Sequence, residues 1–400
     1  MVVGIAFWVS AKIYVPSELP EASAPPRGDV LLSEFYAQPS SLPQTAGVMV
    51  RQETLEGEAT LASAGENLRI MYSSTEGLSG KGISVISGAL FLPEGNPPEG
   101  GWPLLVWSHG TVGIGDVCAP SYSGRGERDR TYLNPWLEQG YAIVASDYQG
   151  LGVSGTHPYM DARTMAFNNL DLIRAVHSGD FPLSKKVVIA GQSQGATGAI
   201  ATASYADEYA PEVDLAGVIA TGIPHLSYGV VLDMVRNANP DEVSASLGLS
   251  LYMLTMTEMV DPEFKMEAIL SDEAKSVIGD IGQVCVFDLI SKTQNAGLTS
   301  RKAFKSRSEF PLIKAFSRMR VPDLGFDTPI FAGSGTADKI TPFPMQQAFL
   351  ADACSAGARI AAITYPDANH NQGLLQSSKD AQEFAATVMS GGEIENTCPR

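Results

Sequence analysis

Three residues stand where acyl-transfer chemistry would need them: Ser193 in Gly191-Gln192-Ser193-Gln194-Gly195, Asp338 in FAGSGTADKITP, and His370 in ITYPDANHNQG. A serine hydroxyl is a poor nucleophile until an imidazole within hydrogen-bond reach takes its proton. The imidazole in turn needs a carboxylate to hold its tautomer and to stabilise the imidazolium as it forms. A G-x-S-x-G pentapeptide is short and built of common residues, so alone it marks a turn with a serine in it. Here it follows the β-branched run KVVIAG and opens a small-residue helical segment, GATGAI. That is the strand, sharp turn and helix setting in which a serine is presented at the tip. Gly191 and Gly195 would let backbones approach where a Cβ would clash.

The chain has five histidines, so the base can be chosen by position. His109 ends an apolar run and suits a pocket floor. His157 lies in a Gly-rich loop, and His177 ends a helix, where it can cap the dipole. His225 sits after another apolar run, where it could touch substrate. His370 follows the last strand-like run, at the carboxyl end of a sheet where such sites gather. Asp338 also leaves a strand end, and it lies between Ser193 and His370 in chain order. Asp367, three positions before His370, is the rival acid, but a local Asx-type turn is its expected use.

A tetrahedral oxyanion needs donors aimed at it. The backbone N–H of Gln194, after the nucleophile and at a helix start, is one. The loop SHGTVG offers the second, the N–H of Thr111, whose hydroxyl would add a third. DYQGLGVSG carries three glycines, but neither a G-x-G-x-x-G opening a helix nor a G-K-[ST] is present, so it reads as a close-packed loop. Asp147 and Tyr148 in it are expected to be structural. No H-E-x-x-H, carboxylate cluster or Cys/His set argues for a metal, and no cofactor is expected.

These residues must be held by strand ends. WPLLVWSHG, YAIVASDY, KVVIAGQS and LAGVIATG are short apolar runs of the kind buried on both faces. Helical segments at about 128–139, 161–177 and 195–209 alternate with them. The alternation predicts an α/β fold with a mostly parallel, doubly wound sheet. ENLRIMYSST and SVISGALFLPE read as a hairpin at one sheet edge. Residues 1–60, with Pro16, Pro20, Pro25, Pro26, Pro39 and Pro43, read as an N-terminal arm with one short helix near Val30–Tyr36. The core is expected to span 61–223 and 325–400, interrupted by a helical cap over 224–324. Within the cap, helices are expected at 226–238, 241–259, 263–278 and 284–294. The second is rich in Leu and Met, and Met253 and Met256 are candidates to line a pocket, since thioethers accommodate varied apolar ligands. TPIFAGSG and ARIAAITY resume the sheet, with helices at 343–356 and 378–389.

With 27 basic against 44 acidic residues and a net charge of −17, nucleic acid is a poor partner. Met1–Ala11 is apolar but lacks a basic leader region and is too short to span a bilayer. It reads as a leader remnant, a vector-derived junction or an arm packed on the body. No stable membrane insertion is expected, and the chain is expected to be a monomer or weak dimer. Four cysteines, Cys118, Cys285, Cys354 and Cys398, allow three pairings, of which the polar tail around Cys398 favours a staple to Cys354.

WSHGTVG, DYQGLG, GQSQGA, GTADKITP and the His370 loop together resemble the secretory lipase family, the α/β-hydrolase lipases and esterases of the Candida antarctica lipase A type. The likeness covers about Ser33 to Val388. It implies an α/β-hydrolase fold with a largely helical cap before the acid-bearing strand. It places the triad on Ser193, Asp338 and His370 and the oxyanion hole on Thr111 and Gln194. It also implies export, and disulfides Cys118–Cys285 and Cys354–Cys398. The elbow departs from the family, which more often has Tyr before Ser, so Gln192 would put a polar side chain near the site. No leader is evident.

The expectation is a serine carboxylic-ester hydrolase acting through an acyl-enzyme on a small-molecule or lipid ester. Gln192, His225 and Tyr228 would suit short- to medium-chain or aromatic acyl groups. Alternatives are a long-chain triacylglycerol lipase, an amide or peptide acyl hydrolase, and a non-catalytic binding protein of the same fold. Export to the periplasm or exterior is expected, with the cytoplasm as the other location.

Overall fold

The computed structural model describes residues 28–305 and 312–398, so the readings of Met1–Ala11 and of Pro16 to Pro26 lie outside it. Its centre is a nine-stranded sheet: β1 Met49–Thr54, β2 Ala64–Thr75, β3 Ile83–Pro93, β4 Trp102–Ser108, β5 Ala142–Ser146, β6 Leu183–Gln192, β7 Asp214–Thr221, β8 Ile330–Gly335 and β9 Ile360–Tyr365. The order is β1-β2-β3-β5-β4-β6-β7-β8-β9. The first three pairings are antiparallel and the remaining five are parallel.

Alternate residues on the central strands feed opposite faces, as the two-residue period of a strand requires. Leu104, Val106, Val187, Ile189 and Val218 enter one apolar cluster, while Leu105, Trp107, Val188 and Ile219 enter the other. Helices cover both. After α1 Pro120–Ser123 come α2 Glu127–Glu138, α3 Ala162–Ser178 and α4 Gln194–Tyr209. α3 and α4 supply Leu170, Ile173, Ala199 and Ile200 to the first cluster, and α2 supplies Tyr132 and Trp136 to the second. Burying each such Leu or Val contributes about 1.5–3 kcal/mol, which is why the strands read as unbroken apolar runs.

Between β7 and β8 lie α5 Tyr228–Asn237, α6 Ala245–Val260, α7 Met266–Ile269, α8 Asp272–Ile278, α9 Val286–Asn295, α10 Ser300–Ala303 and α11 Leu312–Met319. They build an apolar cluster of their own around Leu251, Leu254, Met256 and Leu289, joined by Ile114, Tyr159 and Met160 from the core loops. The chain closes with α12 Phe343–Ser355, α13 His370–Gln376 and α14 Ser378–Met389. The sheet, its helices and this insertion form an α/β-hydrolase fold.

Four expectations are corrected. The hairpin β2–β3 is not at the edge, because Met49–Thr54 of the expected arm pairs along β2. That strand is polar, and its pairing comes from backbone contacts with a distant segment, which local composition does not advertise. The helix expected over 263–278 breaks into α7 and α8 at Leu270, which bridges to Phe304. The helix expected from Asp241 starts at Ala245, capped by Ser244, whose side chain accepts from the Ser246 N–H. His370, expected in a loop, is instead the first residue of α13.

Candidate active site

β6 ends at Gln192, α4 begins at Gln194, and Ser193 between them has φ 60° and ψ −123°. A non-glycine residue there is strained and must be held by its surroundings. A Cβ at Gly191 would lie 2.1 Å from the Gly195 carbonyl oxygen, and one at Gly195 would lie 1.8 Å from that of Ser108. Both positions therefore demand glycine, and the elbow is pressed against the end of β4. The Ser193 N–H donates to the Thr221 carbonyl at 3.0 Å, tying the elbow to the end of β7.

His370 meets the same strand end. Gly222, next after Thr221, lies so close to the His370 ring that a Cβ there would be 2.9 Å from Cε1. Asn369 caps α13 with a reciprocal Gln372 contact, which sets the orientation of the first helical residue. His370 Nδ1 is 2.7 Å from Asp338 Oδ2. Asp338 also accepts from the N–H groups of Ile340 at 2.8 Å and Thr341 at 2.9 Å and from the Thr341 hydroxyl at 2.7 Å. Burial alone would raise its carboxyl, but hydrogen bonding from His370 and Thr341 outweighs burial and holds it below its ordinary value. A carboxylate on Nδ1 leaves Nε2 for proton transfer. Among the described residues the Ser193 hydroxyl makes no hydrogen bond to His370; such contacts commonly tighten only with substrate bound.

The other wall is the loop after β4. Pressed against the elbow, its Gly110 would carry a Cβ 3.2 Å from the Gln192 carbonyl oxygen. Thr111 follows, and its hydroxyl shares a 2.8 Å hydrogen bond with Tyr159 Oη rather than standing open as a third donor. The Gln194 N–H is the first of α4, where a helix leaves donors unmatched. Its side chain is buried on His157, Nε2 to Nε2 at 3.1 Å, while His157 Nδ1 meets the Gln149 carbonyl at 2.8 Å. A carbonyl only accepts, so Nδ1 carries the proton and Nε2 accepts from the Gln194 amide. Burial holds His157 down at about 4, so it stays neutral in this role.

The remaining histidines are taken. The two ring nitrogens of His109 face the carbonyls of Gly110 and Asp147, only one of which a neutral ring can donate to, and His177 bonds the Ser184 carbonyl instead of capping its own helix. Asp147 accepts from Ser87 and Ser121, and Tyr148 Oη lies 2.7 Å from Ser108 Oγ, both structural as expected. Asp367 is exposed, at φ 57°, filling the left-handed corner of the turn that brings in His370.

Three expected substrate contacts are redirected. Gln192 is fully buried, accepting from Arg128 Nη1 at 3.0 Å and donating to the His370 carbonyl at 3.2 Å, so its amide is spent on the scaffold. His225 Nε2 is 2.8 Å from Asp352 on α12, at the root of the insertion. Met256 has no exposed surface and belongs to the insertion's core, because α6 is apolar on nearly every side. Met253 is half-buried against that cluster, and Tyr228 is 68% exposed on the first turn of α5. The sequence reading missed Arg128, which sits in an ordinary charged helical start, and Tyr159. Neither carries a local signal, since each acts on a distant loop.

Both disulfides form as the family likeness implied, Cys118–Cys285 and Cys354–Cys398. The first, together with a Val286 N–H to Val112 carbonyl bond of 2.8 Å, stitches the Thr111 loop to the insertion. Tyr252 of α6 adds a third link, its ring 5.6 Å from that of Tyr159. Among the described residues no helix is long and apolar enough to cross a membrane.

The chain is 24% identical over 363 residues to Lipase A of Moesziomyces aphidis, covering 84% of this chain and 75% of that one. Its fold is similar to that of Candida antarctica lipase A in its closed state, with a TM-score of 0.74, 20% identity and coverage of 93% and 89%. It is similar also to the rice cell wall degrading esterase LipA from Xanthomonas oryzae, with a TM-score of 0.70, 20% identity and coverage of 87% and 100%. The secretory lipase profile matches residues 125–385. A match over that much of the sequence, on this fold, shows that the chain belongs to the secretory lipase family and is a carboxylic ester hydrolase.

Proposed function

We propose that the chain hydrolyses short- to medium-chain or aromatic carboxylic esters through an acyl-enzyme on Ser193. The His370–Asp338 contact beside the strained elbow carries this reading. Ser193 Oγ attacks the ester carbonyl as His370 Nε2 accepts its proton, and Asp338 holds the ring and stabilises the imidazolium. The N–H groups of Gln194 and Thr111 receive the oxyanion, where preorganised donors are worth most. His370 then protonates the leaving alcohol and activates water for deacylation. The helical insertion serves as the cap over the substrate.

The acyl preference rests on the stitching of the cap to the Thr111 loop. With Cys118–Cys285 and Val286–Val112 in place, the cap resists the wide opening an oil surface would demand. The expected result is faster turnover of p-nitrophenyl butyrate and octanoate than of palmitate, with no jump in rate at emulsion formation. Strong preference for emulsified long-chain triglyceride would establish the lipase reading instead. That reading draws support from Tyr228 and Met234, both exposed on α5. Covalent labelling of Ser193 by a fluorophosphonate separates both from a non-catalytic binding protein, and parallel ester and anilide substrates separate them from an amide hydrolase. Two disulfides suit an oxidising compartment, and we infer export to the periplasm or exterior.

A further inference from the structure

We propose that Arg128 and Gln192 are a positioning pair for the base, setting the distance between the nucleophile elbow and the His370 backbone. The proposal rests on the serine mechanism above and adds to it a constraint separate from Asp338. Asp338 governs the rotation of the imidazole ring; it does not set where the His370 main chain stands relative to Ser193.

Arg128 lies in the first turn of α2, with its side chain 23% exposed and its charge met by Asp129 at 2.6 Å. Its Nη1 donates to Gln192 Oε1 at 3.0 Å and to Asn371 Oδ1 at 3.3 Å. Its Nη2 would lie 3.6 Å from a Cβ on Gly110. One guanidinium therefore touches the residue before the nucleophile and the residue after the base, and backs the glycine before Thr111. A guanidinium has no acceptor, so it can meet only the oxygen of the Gln192 amide. That choice turns Nε2 the other way, and Nε2 donates to the His370 carbonyl at 3.2 Å. The polarity of the chain runs from Arg128 through Gln192 to His370, and each step has one allowed direction. Lys could not reproduce it fully, being a point donor rather than a planar fork.

Q192E is the sharpest test, because it keeps the shape and satisfies Arg128. It faces the His370 carbonyl with an acceptor where a donor stood, so the start of α13 must recede. R128M removes the constraint on the amide from a side chain that is 23% exposed; it also strips the buried Asp129 carboxylate of its ion pair, so its thermal transition is read beside its kcat. R128K restores one donor. Misplacing a reacting group by an ångström costs up to about 100-fold, so Q192E and R128M should lower kcat on p-nitrophenyl butyrate about 10- to 100-fold. The rate of fluorophosphonate labelling should fall in parallel and KM should stay within about threefold, since substrate contacts are untouched. R128K should recover most of the loss.

Thermal transitions are recorded for every variant, and if Q192E does not fold, R128M and R128K decide the matter. Wild-type kcat and labelling in R128M, or losses carried by KM with labelling unchanged, overturn the positioning role while leaving the hydrolase intact. A wild-type chain that takes no label overturns the serine mechanism itself, and this proposal with it.

Discussion

The Gln194 side-chain amide donates to Nε2 of His157 across 3.1 Å, so the residue proposed as an oxyanion donor is anchored on a buried neutral imidazole. His157 is held at about 4 by burial, against an ordinary value of 6.5. Its folded-state value is depressed, so between pH 6.5 and 4 the unfolded chain binds a proton that the native chain refuses. Stability from this group is complete above pH 6.5 and drains away as pH falls to about 4. His109, also lowered by burial, acts in the same direction. Urea unfolding at pH 7, 5.5 and 4.5 should show a loss of roughly 2–3 kcal/mol. H157Q should flatten that slope; an unchanged slope would remove His157 as its source.

Asp338 and its rival can be separated by isosteric exchange. D338N keeps the size but presents an amide to His370 Nδ1, favouring the wrong tautomer. A fall in kcat of about 1,000- to 10,000-fold is expected on p-nitrophenyl butyrate. D367N should behave like wild type, since Asp367 is exposed and Asn tolerates its left-handed backbone. The opposite pattern would reassign the acid.

Steric demand on the elbow predicts a strong positional contrast among glycines. G195A would drive a Cβ to 1.8 Å from the Ser108 carbonyl oxygen, against backbone that cannot step aside. Overpacking of this kind costs about 3 kcal/mol, and Ser193 would be displaced as well. G229A, on α5 with open space around it, should be neutral or slightly stabilising because Ala favours helix. Chemical denaturation and ester turnover on the pair read both effects.

The two disulfides should also differ in what they report. Chain-entropy arguments put each at up to about 4–5 kcal/mol, the larger for Cys118–Cys285, which closes the longer loop. C118S/C285S should lower the thermal midpoint and raise relative activity on long-chain esters as the cap gains freedom. C354S/C398S should lose stability with acyl preference unchanged, because it ties only the tail beside β9. Identical chain-length profiles in both double variants would dissociate the first bridge from substrate choice.

Much of the site was legible because its signals are local. An apolar strand leading into G-x-S-x-G marks a sharp turn by its own pattern, and its two glycines answer the close approach of neighbouring backbone. Runs of apolar and β-branched residues mark eight of the nine strands, the edge strand β9 among them, so these could be read directly. β1 escaped, because an edge strand of composition MVRQET is selected by its partner and not by its own pattern. α13 escaped for the opposite reason: its seven residues are short and polar, and its capping box is plain only once the chain turns.

By itself the sequence determined which residues could act, in what order they arrive, and that strand ends would carry them. It could not determine what each polar side chain would touch. Gln192 and His225, chosen for nearness to the elbow and the cap, are held by Arg128 and Asp352, and Met256 vanished into a core. Those outcomes hinge on hydrogen-bond directions and packing between segments far apart in the chain. A side chain's partner is set by the folded geometry; only its donor and acceptor capacity is written in its type.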